Sequence, residues 1–465
     1  MPLKSSTVRP EPAPSESLSI SHARSLRGLP LDQLSSSGAG RMPLYLDAAE
    51  TRTLTAALRS ASEAASARLA ENARTHLTRW TGSWSADSPR HIGAALHRLL
   101  TRSRFLKGSR SCFPLETALE QITPFIEERR PVTILASGFP FKQHDNGLKA
   151  AGPWPDLAEL GALLRLKELQ RAFAALYPPG LHVVVLNDGG YSRPRASVEM
   201  LRYRRQLQRY AEVVGLADSV FFHDQSRFVA GLLGPQGWDQ REGYRRSFRE
   251  VISLLASGPR NLDGAVRADQ RLAEALPREL LAGVPSFRDI LSSLVYSVPV
   301  PLPPSARAEP RRWACAVLAR PDHYTAPELA PELAAARREV VSSAWRDTVN
   351  YLAASLADIA SDVARRYPPH VRLATVASRQ GCSGFSYLGG SALLPWHGTG
   401  CLDGRGLLCA EFLVSLDHRS FVPVYSDSLC PEQPLMMVPF ARTIFSHGRR
   451  RMDPDLVTGA RLRSR

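Results

Sequence analysis

The sequence predicts an α/β fold, an open and mostly parallel sheet flanked by helices, with an N-terminal helical extension and a mid-chain insertion. Short β-branched apolar runs stand at 132 to 137 (VTILAS) and 181 to 186 (LHVVVL). Between them Leu157, Leu160, Leu164, Phe173 and Leu176 recur at helical spacing behind the capping-box pair Asp156 and Glu159. Turn formers punctuate both elements: Gly138 and Pro140 follow the first run, and Pro178, Pro179 and Gly180 stop the helix. Strand, helix and strand at this spacing form a βαβ unit, for which parallel order is the natural outcome. A helical pattern over 196 to 214 and a short strand over 219 to 223 extend it to βαβαβ. The second half repeats the grammar. A helical pattern over 331 to 366 stops at Tyr367, Pro368 and Pro369, and VRLATVAS (371 to 378) follows as a strand. Two further strands, 407 to 416 and 421 to 425, are joined by a polar turn and suggest a hairpin at the sheet edge.

Around these halves the chain divides by composition. Residues 1 to 44 are rich in Ser, Pro, Arg and Gly without periodicity, so ordering them would bury little apolar surface; they read as a disordered tail. Residues 45 to 94 read as an accessory helical segment, Ala-rich over 47 to 80, with Leu54, Leu58 and Leu69 on one face. The first α/β half spans 95 to 258 and the second 331 to 446. Between them 259 to 330 reads as an insertion, whose stretch VPVPLPPSARAEP (298 to 310) cannot run as helix. Residues 447 to 465 read as a loose basic tail.

At 465 residues with 44% apolar and 22% charged, the composition is that of a globular protein with a sizeable core. No run approaches eighteen apolar residues and the first residues lack a secretory apolar segment, so the expectation is a cytoplasmic protein without a membrane partner. The six cysteines form no CxxC pair and read as free thiols, with no metal site. The net charge of +15 raises the question of nucleic acid. Its arginines cluster at 193 to 209, at 241 to 249 and in the tail, with no nucleic-acid-binding signature beside them, and they read as solvated faces.

Of the 59 cationic residues, only Lys4, Lys107, Lys142, Lys149 and Lys167 are lysines. A chain that drifts to arginine should keep lysine where a compact ammonium is needed. Lys142 and Lys149 share one loop and form the first functional clue; Lys4, Lys107 and Lys167 read as ordinary residues. Ligands in open parallel sheets bind beyond the carboxyl ends of the strands. The first strand delivers GFPFKQHDNGLK to that edge and the second delivers NDGGYSR, so Lys142, His144, Lys149, Asp188 and Arg193 are expected in one crevice. Two ammonium groups and a guanidinium suit an anionic substrate, and a carboxylate beside a lysine forms an acid/base pair. Asp188 equally suits an Asx-turn, and His144 and Arg193 suit a solvated loop. In LLPWHGTG (393 to 400) an aromatic wall, Trp396, adjoins a titratable imidazole, His397. The absence of GxGxxG, Walker, HExxH and GxSxG motifs argues against nucleotide-dependent redox chemistry, P-loop hydrolysis and serine hydrolysis.

GFPFK followed by Lys149, Pro155-Asp156, the leucine-rich helix, Tyr177-Pro178 and Asp188-Gly189 resembles the pyoverdine/dityrosine biosynthesis proteins, which include isocyanide (isonitrile) synthases. YPPHVRL and PWHG look similar too, and the resemblance covers roughly residues 95 to 445, discontinuously. It implies a Rossmann-like fold and an enzyme of specialised metabolism. That enzyme would be an isonitrile synthase-like lyase/transferase, condensing the amino group of an aromatic amino acid with ribulose 5-phosphate, one sugar carbon becoming the isocyanide carbon. It implies no cofactor, the amino acid and the sugar phosphate as small-molecule partners, and an oxygenase acting downstream. Carried onto this chain, it marks Lys142, Asp188 and His397 as catalytic and Lys149, Arg193, Arg372 and Trp396 as substrate-binding. Asp156 also matches, and a helix N-cap explains it fully. Two alternatives stand beside this reading: a non-catalytic Arg-rich binding protein on the same fold, and a divergent enzyme using another amine or sugar phosphate.

Overall fold

A computed structural model describes residues 43–85, 87–142, 148–187, 197–224, 238–256, 259–276, 281, 284–318, 330–360, 370–375, 382–389, 393–416, 420–446, 449–458 and 460–462. The described chain enters through strand β1 (Leu44–Leu46) and the long helix α1 (Ala48–Thr81). Asp47 and Glu50 form a reciprocal capping box at the start of α1, and Gly82 at φ 77° ends it in the left-handed conformation that favours glycine. Helices α2 (Pro89–Leu100) and α3 (Leu115–Glu127) lead to β2 (Val132–Ser137), α4 (Leu157–Ala174), β3 (Leu181–Asn187), α5 (Ser197–Val213) and β4 (Val220–Asp224). The middle of the chain is helical: α6 (Trp238–Ala256), α7 (Leu262–Ala275), α8 (Phe287–Leu294), α9 (Pro310–Leu318) and α10 (Pro331–Ala360). The last part supplies β5 (Val371–Ala374), β6 (Ser383–Gly384), β7 (Thr399–Leu402), β8 (Leu407–Glu411), β9 (Phe421–Ser426), β10 (Met436–Pro439), β11 (Thr443–Ser446), β12 (Arg449–Met452), α11 (Pro454–Thr458) and β13 (Arg461–Leu462).

The expected parallel sheet is present, in the order β4-β3-β2-β5-β6, every neighbouring pair parallel. β2 and β3 run side by side in register from Val132 against Leu181 to Ser137 against Leu186. Both strands are short apolar runs, as strands covered on both faces should be. The chain builds outward from β2 to β4 on one side and from β5 to β6 on the other, so the winding reverses between β2 and β5.

A second, mixed sheet has the order β1-β9-β10-β7-β8-β13. It corrects the expected edge hairpin: β8 and β9 do not pair with each other. β8 pairs antiparallel with β7, while β9 lies between β1 and β10. The tight turn is instead Asp403-Gly404-Arg405-Gly406, where Asp403 Oδ1 accepts from the amides of Arg405 (2.8 Å) and Leu407 (2.9 Å) and Gly406 takes φ 72°. The strand expected to run to 416 stops at Glu411 because a 3-10 turn follows at Leu413–Ser415. Nor is the basic C-terminal segment loose throughout: β12 pairs with β11, and β13 adds a parallel strand beside β8. The boundary expected at 94 falls inside α2, whose Ile92, Ala95, Leu96 and Leu99 enter the core.

Helix α4 lies at the centre, touching α1, α2, α5, β3, β7 and β8. The leucine spacing predicts one apolar face, yet every residue from Leu157 to Leu169 is buried. Its charged residues are paired internally. Arg104 makes a two-pronged contact with the Glu168 carboxylate, both distances 2.7 Å, and Arg165 reaches the same carboxylate at 3.3 Å. Lys167 donates to the carbonyl of Gly215 just beyond α5. No described helix is long and apolar enough to cross a membrane, and the six cysteines are free.

Candidate active site at the switch point of the parallel sheet

In open parallel sheets the loops diverge where the winding reverses, and the crevice left beyond the carboxyl ends is where ligands bind. Here that point lies between β2 and β5. The peptide after β2 is held in an unusual shape: Phe139 takes φ 52°, and Asn187 at the end of β3 donates from Nδ2 to its carbonyl at 2.6 Å. A left-handed φ on a bulky residue costs ~1–3 kcal/mol and persists only where the surroundings enforce it. Phe139 packs against Trp396 (5.1 Å between ring centres), Tyr387 (5.4 Å) and Phe222 in the middle of β4 (6.2 Å). The Tyr387 hydroxyl donates to the carbonyl of Ser137, the last residue of β2, at 3.3 Å. Gly138 allows this closeness, because a Cβ there would stand 3.0 Å from Trp396 and 3.3 Å from the Tyr387 hydroxyl.

Beside this aromatic wall lies His397, completely buried on a 3-10 turn, Pro395–His397. Its Nε2 is 2.9 Å from Ser297 Oγ, and its Nδ1 has no hydrogen-bond partner among the described residues. Burial, reinforced by the positive charges of Lys149 and Lys107, holds its pKa well below the ordinary value of 6.5, so the ring is neutral at pH 7. Lys149 Nζ donates to the carbonyls of Tyr296 (3.0 Å) and Val298, clamping the strap that carries Ser297. The Tyr296 ring packs on His397 and Phe412, at 6.1 and 5.5 Å.

A second buried group surrounds Lys142. Its ammonium lies 2.9 Å from Asp156 Oδ2 and 2.7 Å from Glu159 Oε2, all three side chains being essentially inaccessible. Asp156 caps α4 through Ala158 N (2.8 Å) and accepts from Gly400 N on β7 (3.0 Å). Glu159 also accepts from the Asp156 amide (2.9 Å) and from the Tyr203 hydroxyl (3.0 Å). Burial, only partly offset by Lys142, pushes the Glu159 carboxyl up to about 8. Burial opposes charge on Lys142, but the two carboxylates prevail and hold its pKa above the usual lysine value. Among the described residues no hydrogen bond or ion pair links Lys142 to His397; the two groups adjoin through β7, which begins two residues after His397.

Residues 122–270 match the family described as pyoverdine/dityrosine biosynthesis protein. That segment carries the family's sequence pattern. Similar proteins include an L-tyrosine isonitrile synthase of Xenorhabdus nematophila, 34% identical over 74 residues, 16% of this chain and 22% of the relative. An L-tryptophan isonitrile synthase of Fischerella ambigua is 29% identical over 105 residues, 22% of this chain and 32% of the relative. The aligned parts thus span about a fifth and a third of these relatives. Among solved structures, the PvcA protein of Pseudomonas aeruginosa is 17% identical with a TM-score of 0.47, over 74% of this chain and 99% of that one.

The segment matching the pyoverdine/dityrosine biosynthesis family holds β2, β3, β4 and α4, with Lys142, Lys149, Asp156 and Glu159; Lys107, Arg372, Trp396 and His397 lie outside it. Of the residues singled out from sequence, the structure brings Lys149, Trp396 and His397 to one place and sets Lys142 in the adjoining ionic group. Arg372 is half-buried within β5 rather than at its end, paired in register with Leu135, and its charge reaches the thiol of Cys382. Asp188, Arg193 and His144 lie outside the described residues. Ser297 and Tyr387 escaped the sequence reading, and so did two charged residues. Glu159 registers there only as a helix cap, and Lys107 carries no periodicity or motif. The only sequence signal for Lys107 is its survival as lysine in an arginine-rich chain.

Proposed function

We propose that the chain is an isocyanide synthase-like enzyme that joins the amino group of an aromatic amino acid to a carbon of ribulose 5-phosphate. The observation that carries the reading is the family match across β2–β4, which includes the loop lysines beside the switch-point crevice. The names of the two relatives support it, and so does the aromatic wall of Phe139, Tyr387 and Trp396.

Condensation of an amine with a ketone needs a base while nitrogen attacks and an acid while water leaves. His397 suits the base role because its ring is kept neutral and its Nδ1 is unengaged among the described residues. Ser297, held in place by Lys149, fixes the ring's orientation through Nε2. Lys149 then acts by placing the strap and lending positive potential to the crevice, rather than by gripping substrate with a free ammonium. Trp396 offers a face for the amino acid's ring. Lys142 holds the GFPFK loop to the start of α4 and to β7, a positioning role through the carboxylates of Asp156 and Glu159. Asp188 as acid/base group and Arg193 and Arg372 as substrate anchors complete the assignment that the resemblance implies.

The test is a mass-spectrometric screen of the full-length protein with ribulose 5-phosphate and each common amino acid. Isonitrile formation from tyrosine, tryptophan or phenylalanine is the expected result. Product from another amine alone would make it a divergent enzyme. Inertness toward every pair, together with salt-sensitive retention on DNA, would favour a basic binding protein instead.

A further inference from the structure

Lys107 lies near the same group of residues, close enough for its charge to act on His397. The segment before it runs against β6: Leu106 forms an antiparallel bridge with Phe385, the Phe105 carbonyl accepts from Ser386 N at 2.7 Å, and Lys107 N donates to the Gly384 carbonyl at 2.9 Å. These contacts, with Phe105 stacked on Phe385 at 5.9 Å, fix the backbone of a residue that no helix or long strand carries. The side chain then crosses β6 to the end of β5, where Nζ donates to the Thr375 carbonyl at 3.1 Å. Thr375 is the first residue beyond β5, so the ammonium stands at the point where the winding reverses. An ammonium has three donors. Among the described residues the Thr375 carbonyl is the one acceptor Lys107 reaches, and no carboxylate lies within ion-pair distance.

We propose that Lys107 is a substrate-binding residue whose ammonium takes an oxyanion of a substrate, the phosphate of the sugar phosphate or the carboxylate of the amino acid. The assignment rests on the enzymatic reading above. A half-buried cation with spare donors gains from a charged acceptor far more than from a second carbonyl. Burial already lowers the Lys107 pKa, with only the more distant charge of Asp289 on α8 opposing it, and a bound oxyanion would restore the favoured charged form. The alternative is that Lys107 merely caps the end of β5. Capping would make its loss a matter of stability, blind to the identity of the substrate.

The experiment compares wild type with Lys107→Met and Lys107→Arg in two assays. In turnover assays, Lys107→Met should raise KM at least tenfold for one substrate and leave the other within about twofold, and Lys107→Arg should restore part of the loss. An increase for ribulose 5-phosphate identifies the phosphate as the oxyanion; an increase for the amino acid identifies the carboxylate. Unchanged KM for both in a folded Lys107→Met protein overturns the assignment. If wild type forms no isonitrile, the enzymatic reading fails separately. Titration calorimetry with inorganic phosphate and with acetate then decides Lys107: binding by wild type that Lys107→Met weakens at least tenfold supports it. Equal binding by both proteins, or none by wild type, refutes it.

Discussion

Burial keeps two ionisable groups of the site neutral: an imidazole at His397 and a carboxyl at Glu159 that gives up its proton near pH 8. Their linkage to folding has opposite signs. Glu159 titrates higher in the fold than the ordinary 4.5, so the folded state holds a proton the unfolded chain has released, and its contribution fades as pH rises toward 8. His397 titrates below its ordinary 6.5, so its effect is a loss of stability as pH falls below 6.5. Between pH 6.5 and 8 the Glu159 effect stands clear of the His397 effect, and thermal melts should show Tm falling across that window. Glu159→Gln, which can still accept from Lys142, should flatten the decline; equal slopes in variant and wild type would contradict the assignment. Lys142 offers a steric test. Its ammonium fills a closed site between the carboxyl groups of Asp156 and Glu159, and leaving a buried charge unpaired costs ~3–5 kcal/mol. Lys142→Met should lose about that much in denaturant melts. The larger, forked guanidinium of Lys142→Arg should fail nearly as badly and lower kcat/KM more than ~10-fold, or about 1.4 kcal/mol. A Lys142→Arg protein with wild-type stability and turnover would show that any cation suffices.

The site is an assembly of element ends, and β7 packs closely against the start of α4. A Cβ at Gly400 would lie 2.6 Å from the Ala158 backbone nitrogen and 2.9 Å from Asp156 Oδ1, neither of which can yield freely. Gly400→Ala should therefore separate β7 from α4, costing ~1–3 kcal/mol in chemical denaturation and lowering turnover, since His397 is carried on the turn that leads into β7. A variant that melts and turns over like wild type would contradict that coupling. Legibility in the sequence follows the same elements. β2, α4 and β3 could be read because apolar runs, helical spacing and the Pro-Pro-Gly stop all point one way. The mixed sheet could not, because β10 lies between β9 and β7, and β1 and β13 arrive from the two ends of the described chain. Asp403, Gly404 and Gly406 carry a hairpin signal of their own, which competes in the sequence with the polar stretch after 416. The crevice was legible as a place, through GFPFK and Trp396-His397. Its membership was not: Glu159 looks like a cap, Lys107 like a surface residue, and only three-dimensional proximity joins them to the rest.

At the scale of the whole molecule, the parallel sheet supplies the crevice and the mixed sheet supplies the residues that close it. β7 fixes Asp156, the turn before it presents Trp396 and His397, and the strap after α8 presents Ser297 under the hold of Lys149. The two halves are thus needed together, with α4 as the shared central element. Some of the arginines serve the fold: Arg104 and Arg165 converge on Glu168, and Arg202 on α5 pairs with Glu432 at 2.7 Å and lies over the Trp154 ring at 4.5 Å. The proposed reaction joins an amino acid to a sugar-phosphate carbon beside these residues. Mass spectrometry of the product formed from uniformly carbon-13-labelled ribulose 5-phosphate and unlabelled tyrosine or tryptophan tests it most directly. The expected product is an isonitrile carrying a single labelled carbon, diminished in Lys107→Met; an unlabelled product, or no isonitrile from either amino acid, would overturn the proposed reaction.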